Sequence, residues 1–202
     1  MKKLLGAPRQ PVGRRRQRGQ SLIEFSLSSI VLLLLLAGLI DLGRVFYYDV
    51  SMHGAAREGA RHAAWFDPGT DSNPFLSDAE VLKAVNQNLA GSKLTATFAN
   101  GSMTATCPPP QDGNVYNNPA FAQSYYPTTL GTPWVYVCYK TATGIYSGGR
   151  AAPPLDNSFL LGDVNVIVVM SYGLVTGFLQ GILGNGFPVV AFAHFTIQGT
   201  PP

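Results

Sequence analysis

The residue types that carry out catalysis or bind metals are sparse in this sequence. Its three histidines, His53, His62 and His194, are scattered, and the first two would stand on opposite faces of a helix, where they cannot share a metal ion. The Gly-x-Ser-x-Gly, phosphate-loop and His-Glu-x-x-His motifs do not occur. The sequence therefore predicts a protein that is not an enzyme, with no cofactor, no metal site and no small-molecule substrate.

One carboxylate stands in an unusual place. Glu24 is the only charged residue between Gly19 and Asp41, in a stretch that contains the apolar run IVLLLLLAGLI. A carboxylate at the centre of a bilayer costs about 2.5–3.5 kcal/mol on insertion scales and is rare without a partner. Two interpretations follow: either Glu24 meets a partner group, or its side chain reaches back to the cytoplasmic lipid headgroups.

The segments around Glu24 have the composition of a membrane anchor. Residues 1–19 contain seven of the 14 Lys and Arg residues and no acid, whereas the rest of the chain carries seven basic and 11 acidic residues. Residues 21–40, as a helix, would cross a hydrocarbon layer of ~30 Å. We interpret residues 1–19 as a basic leader on the cytoplasmic side and residues 20–43 as a transmembrane helix, with the remainder outside. The acidic remainder argues against nucleic-acid binding.

The helical pattern continues beyond the membrane. Because no proline occurs before Pro68, the sequence predicts one helix over about residues 21–66, with residues 44–66 outside the bilayer. Asp41 and Arg44, at the exit from the span, are interpreted as an interfacial ion pair. A segment rich in small residues follows, and it either packs against helices of other proteins or seats the protein's own sheet. It comprises Gly54, Ala55, Ala56, Arg57, Gly59, Ala60 and Arg61.

The remaining residues, 67–202, predict a small α+β domain with a mostly antiparallel sheet. A capping box from Ser77 to Glu80 predicts a short helix, and an Asn100-Gly101 turn predicts a hairpin. The predicted segments are the helix at 78–90, the hairpin at 93–107, strands at 134–140, 163–172 and 187–198, irregular segments at 108–133 and 143–154, and an apolar segment at 173–186 that is too short for a second span.

Both cysteines, Cys107 and Cys138, lie in the segment predicted to be outside, where disulfides are permitted. Neither has a Cys-x-x-Cys partner or a nearby histidine at metal-ligand spacing. We predict a disulfide between them, which on the chain-entropy model would stabilise the fold by roughly 3.5–4 kcal/mol. Two free buried thiols are the alternative.

The segment 19–65 resembles the N-terminal region of TadE-like proteins, the minor pseudopilins of tight-adherence pilus systems. The motifs that carry the resemblance are GQSLIEF at its start, DLGR at the exit from the span and GAAREGAR beyond it. The resemblance implies a pilin-like fold, cleavage by a prepilin-type peptidase between Gly19 and Gln20, and pilin docking through Glu24 and Phe25, with Glu24 facing the freed α-amino group of a neighbouring subunit. It further implies a single-pass protein of the inner or cytoplasmic membrane whose partners are the peptidase, other pilins, the pilus assembly platform and the lipid bilayer.

Two other functions fit parts of the sequence. A signal-anchored envelope module would capture a partner through the aromatic loop at residues 116–134. A secreted protein would lose about its first 40 residues as a signal peptide, which is disfavoured because no Ala-x-Ala-like site follows the apolar run and the leader is long. The site of N-terminal cleavage distinguishes the three functions.

Overall fold

The computed structural model of the protein describes residues 17–65, 77–103, 105–108, 123–141, 144–147, 162–174 and 186–198. Most of the basic leader, the predicted helix stop at residues 67–69, residues 116–122 of the predicted aromatic loop and the apolar segment at 175–185 lie outside the described residues. The chain divides into two compact units, one ending at Ile40 and the other beginning at Asp41.

The first unit is the apolar part of a long helix, α1, which spans Gln17–Ala63. Leucine favours helix, and no proline or charged residue interrupts the run after Glu24 until Asp41. Its large apolar side chains are exposed on every side up to Ile40, which is the pattern of a helix solvated by lipid. The predicted bounds were close, although the helix begins four residues earlier and ends three residues earlier than the predicted 21–66.

The second unit contains the rest of α1, a short helix and a five-stranded sheet. The helix is α2 (Asp78–Leu89), and the strands are β1 (Thr97–Phe98), β2 (Trp134–Thr141), β3 (Gly144–Ser147), β4 (Asp163–Tyr172) and β5 (Phe187–Thr196). The order across the sheet is β1-β2-β4-β5, with β3 also paired to β2. Pairing is antiparallel except between β1 and β2, so the predicted α+β class is confirmed and the sheet is mixed.

Strand β4 lies at the centre of the sheet and is buried on both faces. Val164, Val166, Val168 and Met170 alternate on one face and belong to the main core, together with residues of α1 and α2. Ile167 and Val169, on the opposite face, belong to a second apolar cluster. Burial on both faces explains why this strand is a nearly continuous β-branched run in the sequence.

The predicted hairpin at residues 93–107 is wrong. The Asn100-Gly101 pair does adopt the positive φ angles that such a turn requires, 52° and 70°, but it forms a 3-10 turn. Before the turn, β1 pairs in parallel with β2, with Thr97 opposite Trp134, and the described residues after the turn form no strand. The long-range partner β2 competes successfully with the local turn for the backbone of β1. Strand β3 was also missed, since it lies in a segment predicted to be irregular.

The predicted capping box at the start of α2 is wrong in its contacts, although the helix is right. Ser77 is the N-cap residue in extended conformation, but its side chain makes no capping hydrogen bond. The next residue, Asp78, is fully buried and accepts a hydrogen bond from the Tyr139 hydroxyl at 2.7 Å. A contact with β2 therefore anchors this helix end.

Candidate processing and docking site

The four residues of the predicted processing and docking site lie together at the start of α1. Gly19, Gln20, Glu24 and Phe25 are all exposed, and Phe25 retains 71% of its accessible surface. A Cβ atom added at Gly19 would have nothing within 4 Å among the described residues.

Glu24 already has a donor within the chain. The side-chain amide nitrogen of Gln20 donates a hydrogen bond to Oε1 of Glu24 at 3.0 Å, across one helical turn. Sequence reasoning placed the two residues one turn apart but did not predict this contact. The carboxylate therefore accepts from a neutral amide in this chain, a contact that a stronger, charged donor could replace.

Where the second unit begins, Asp41 and Arg44, the predicted ion pair, lie beside two tyrosines. Asp41 is 1% exposed, while Arg44 is exposed. The pKa of Arg44 is raised, mainly by a side-chain hydrogen bond with Tyr48. The charges of Tyr172 and Asp41 raise it further. The rings of Tyr48 and Tyr172 contact each other with centroids 5.6 Å apart. These contacts therefore join α1 to the end of β4, and no local pattern in the sequence indicated the tyrosines.

The small residues of α1 pack within the protein's own domain. Ala55, Ala56 and Ala60 are fully buried in the main core. A Cβ atom added at Gly59 would lie 2.6 Å from Cγ2 of Val85 and 3.3 Å from Cγ1 of Val166, so a glycine lets α2 and β4 approach closely. Gly54 faces the side chain of Asn88 on α2, and Arg57 and Arg61 are exposed. These contacts agree with the interpretation that this segment packs against the protein's own domain.

Charged side chains surround the end of α1. Nε of Arg61 donates to Oε2 of Glu58 at 3.0 Å, and this hydrogen bond lowers the pKa of Glu58. Burial lowers the pKa of His62, and it outweighs the opposing charges of Glu80 and Glu58. Burial therefore favours the neutral form of His62, despite its carboxylate neighbours.

A disulfide joins Cys107 and Cys138, the pair for which the sequence predicted a bridge, with Cα atoms 6.2 Å apart. Cys138 lies in β2 and faces the second apolar cluster, with Tyr126 and Ile167. The bridge ties the segment around Cys107 to the sheet face opposite the helices. In the part of the chain that the structure describes, no group of three His, Cys, Asp or Glu side chains is placed to hold a metal ion.

These features define an α+β protein with one N-terminal helix that, among the described residues, is long and apolar enough to cross a membrane, which fits a single-pass membrane protein. Residues 19–61 match the family model described as TadE-like protein, which confirms the resemblance seen in the sequence. A TadE-like domain on an N-terminal apolar helix indicates a membrane protein related to tight-adherence pili, a family not known for enzymatic activity. The match includes Glu24 and Phe25, the predicted docking residues, and ends at Arg61, before α2 and the sheet. Comparisons with curated proteins and with solved structures gave no match.

Proposed function

We propose that this protein is a minor pilin or pseudopilin, a non-catalytic subunit of a tight-adherence pilus system that a prepilin-type peptidase cuts after Gly19. The observation that carries the proposal is the TadE-like match, which begins at Gly19. Glu24 stands four residues after Gln20, one helical turn beyond the N-terminus that cleavage after Gly19 would create. The alternative of a signal-anchored binding module offers no role for this arrangement.

Docking would use the carboxylate of Glu24. A lone carboxylate in an apolar helix is costly in lipid, and a neighbouring subunit's α-ammonium would offset that cost through a charge-assisted hydrogen bond. Glu24 is exposed, so such a group can reach it. A helix inserted beside other pilin helices would thereby form one specific polar contact at the depth of Glu24 in the membrane.

The second unit supports the same function. On its part of α1, Phe46 and Val50 are one turn apart and retain 61% and 70% of their accessible surface. They offer an apolar helix surface for other pilin helices, while the opposite face of α1 seats the sheet. The disulfide favours a location of this unit in an oxidising compartment, and the basic residues before Gly19 favour a cytoplasmic N-terminus. We therefore place the protein in the inner or cytoplasmic membrane with its sheet domain outside.

The decisive experiment is mass spectrometry of the most N-terminal peptide of the protein isolated from the membranes of its own host. A start at Gln20 supports the proposal, an intact Met1 indicates a signal-anchored module, and a start beyond Ile40 indicates a secreted protein. Gly19→Val should abolish cleavage without a folding defect, because a Cβ there meets nothing within 4 Å. Gly38→Val is the matched control, since this helical glycine also faces open space, and it should be processed normally.

Docking is tested separately by Glu24→Leu. Leucine inserts into membranes more favourably than glutamate, so the helix should remain in the membrane. Losing a charge-assisted hydrogen bond of about 1.5–3 kcal/mol should reduce co-purification with other pilins by about tenfold or more. Ser28→Leu, one turn further along and also exposed, introduces the same side chain and should leave association unchanged. Equal co-purification of the two variants would overturn the role of Glu24.

A further inference from the structure

The hydrogen bond from Gln20 takes up one acceptor position, on Oε1, of the Glu24 carboxylate that docking would use. In the chain as described, the Gln20 amide nitrogen lies 3.0 Å from Oε1 of Glu24. An ammonium group from a neighbouring subunit could bind Oε2, but it would share the carboxylate with this amide. A reaction that removes the amide would leave the carboxylate open to the neighbour.

Cleavage after Gly19 makes such a reaction possible. This inference therefore rests on the proposed function, which includes that cleavage. It turns the backbone nitrogen of Gln20 into a free α-amine, and the same residue then carries a nucleophile and a carboxamide that can close a five-membered ring. The first N–H groups of a helix have no intrahelical acceptor, so no backbone hydrogen bond holds this nitrogen in place. The Gln20 side chain is exposed and is therefore free of packing that would prevent ring closure.

We propose that Gln20 is a modification site that cyclises to pyroglutamate once the leader is removed. The lone pair of the α-nitrogen attacks Cδ of the side chain, the bond between Cδ and Nε2 breaks, and Nε2 departs as ammonia with a proton taken from the α-amine. The product is a lactam, and no oxidant or reductant takes part. One reaction thus removes the amide donor from Glu24 and the positive charge from the N-terminus.

Cyclisation makes the subunit one-sided. Its Glu24 can still accept the α-ammonium of a neighbouring pilin, and it does so without competition from Gln20. Its own N-terminus has no charge to offer to the corresponding carboxylate of another subunit. A pilin with an acceptor and no donor forms this contact with one neighbour only, which places it at one end of a stack of pilin helices.

The N-terminal peptide of the membrane-derived protein tests the inference, using the wild type and Gln20→Asn. Asparagine keeps the carboxamide but is one methylene shorter, so attack by its α-amine would require a four-membered ring, and this variant should keep a free amine. We expect most of the wild-type peptide to start at residue 20 and to be lighter than the encoded sequence by one ammonia. A peptide that starts at Gln20 and retains its ammonia overturns the inference but leaves the proposed function intact, whereas an intact Met1 overturns the proposed function itself.

Association provides the second measurement. Gln20→Asn should raise the amount of pilin that co-purifies with each copy of this protein, because its charged N-terminus can engage a second neighbour. Ser21→Ala, at the adjacent position, is the control and should match the wild type. Equal pilin recovery from Gln20→Asn and wild type would overturn the one-sided role.

Discussion

Replacing Gly59 by alanine tests whether the small face of α1 is a seat for the protein's own domain. The new methyl group would lie 2.6 Å from Cγ2 of Val85 and 3.3 Å from Cγ1 of Val166. Val85 is fully buried on α2, and a β-branched side chain in a helix has essentially one χ1 rotamer, so it cannot rotate away. Relief therefore requires a shift of one helix against the other.

Two opposing effects set the magnitude. Alanine in place of glycine stabilises a helix interior by about 1 kcal/mol. Overpacking of a well-packed core costs typically about 1–3 kcal/mol. We expect Gly59→Ala to lower the free energy of unfolding by up to about 2 kcal/mol, whereas Gly43→Ala, where a Cβ meets nothing within 4 Å, should raise it by up to about 1 kcal/mol.

The assay is urea unfolding of the full-length protein in detergent micelles, followed by the fluorescence of its two tryptophans, Trp65 and Trp134. A double-mutant cycle with Val85→Ala isolates the contact, because that change removes the Cγ2 atom that the added methyl group at position 59 would meet. In the Val85→Ala background, Gly59→Ala should become neutral or stabilising. If Gly59→Ala stabilises the protein as much as Gly43→Ala and shows no coupling to Val85, the small face is not packed in the way described.

Three further predictions concern other contacts of the second unit. Tyr139→Phe removes a donor from the buried Asp78 carboxylate and should lower the free energy of unfolding by about 1–3 kcal/mol. Tyr172→Phe should lower it by less, because the buried Tyr172 hydroxyl has no hydrogen-bond partner among the described residues. Urea unfolding of both variants measures the difference. Burial lowers the pKa of His62 from 6.5, so the unfolded chain takes up this proton more readily than the folded protein. The contribution of His62 to the free energy of unfolding is therefore present above pH 6.5 and is lost as the pH falls below it. In a pH series of unfolding measurements, His62→Gln should show a smaller slope of this free energy against pH. Replacing both members of the Cys107–Cys138 bridge by alanine should lower the free energy of unfolding by about 3.5–4 kcal/mol, and reducing agent should then have no further effect.

Each of these predictions has a clear contrary result. Equal costs for the two tyrosine variants would contradict the assigned hydrogen bond, and an unchanged pH slope for His62→Gln would contradict the effect of burial. A double cysteine variant as stable as the oxidised wild type would show that the bridge does not restrain the unfolded chain.

Features that depend on local pattern were predictable. The apolar run of α1 and the valine alternation of β4 required only hydropathy and period, and β4 was predicted with its observed bounds, Asp163–Tyr172. The TadE-like segment was recognised from its own residues, which include Gln20 and Glu24. These features could be predicted because residues close together in the sequence are enough to indicate them.

Tertiary structure decided the features that join distant parts of the chain. The Asn100-Gly101 signal predicted a hairpin, but β1 pairs in parallel with β2, a strand more than 30 residues further along the chain that the turn pattern does not include. Likewise, the small residues of α1 were compatible with a partner helix or with the protein's own sheet, and the fit of Gly59 against Val85 exists only after α2 has packed. Hydropathy and period thus located α1, α2, β2, β4 and β5. The partner of β1 and the faces that pack together depend on contacts between residues far apart in the chain, which no local pattern encodes.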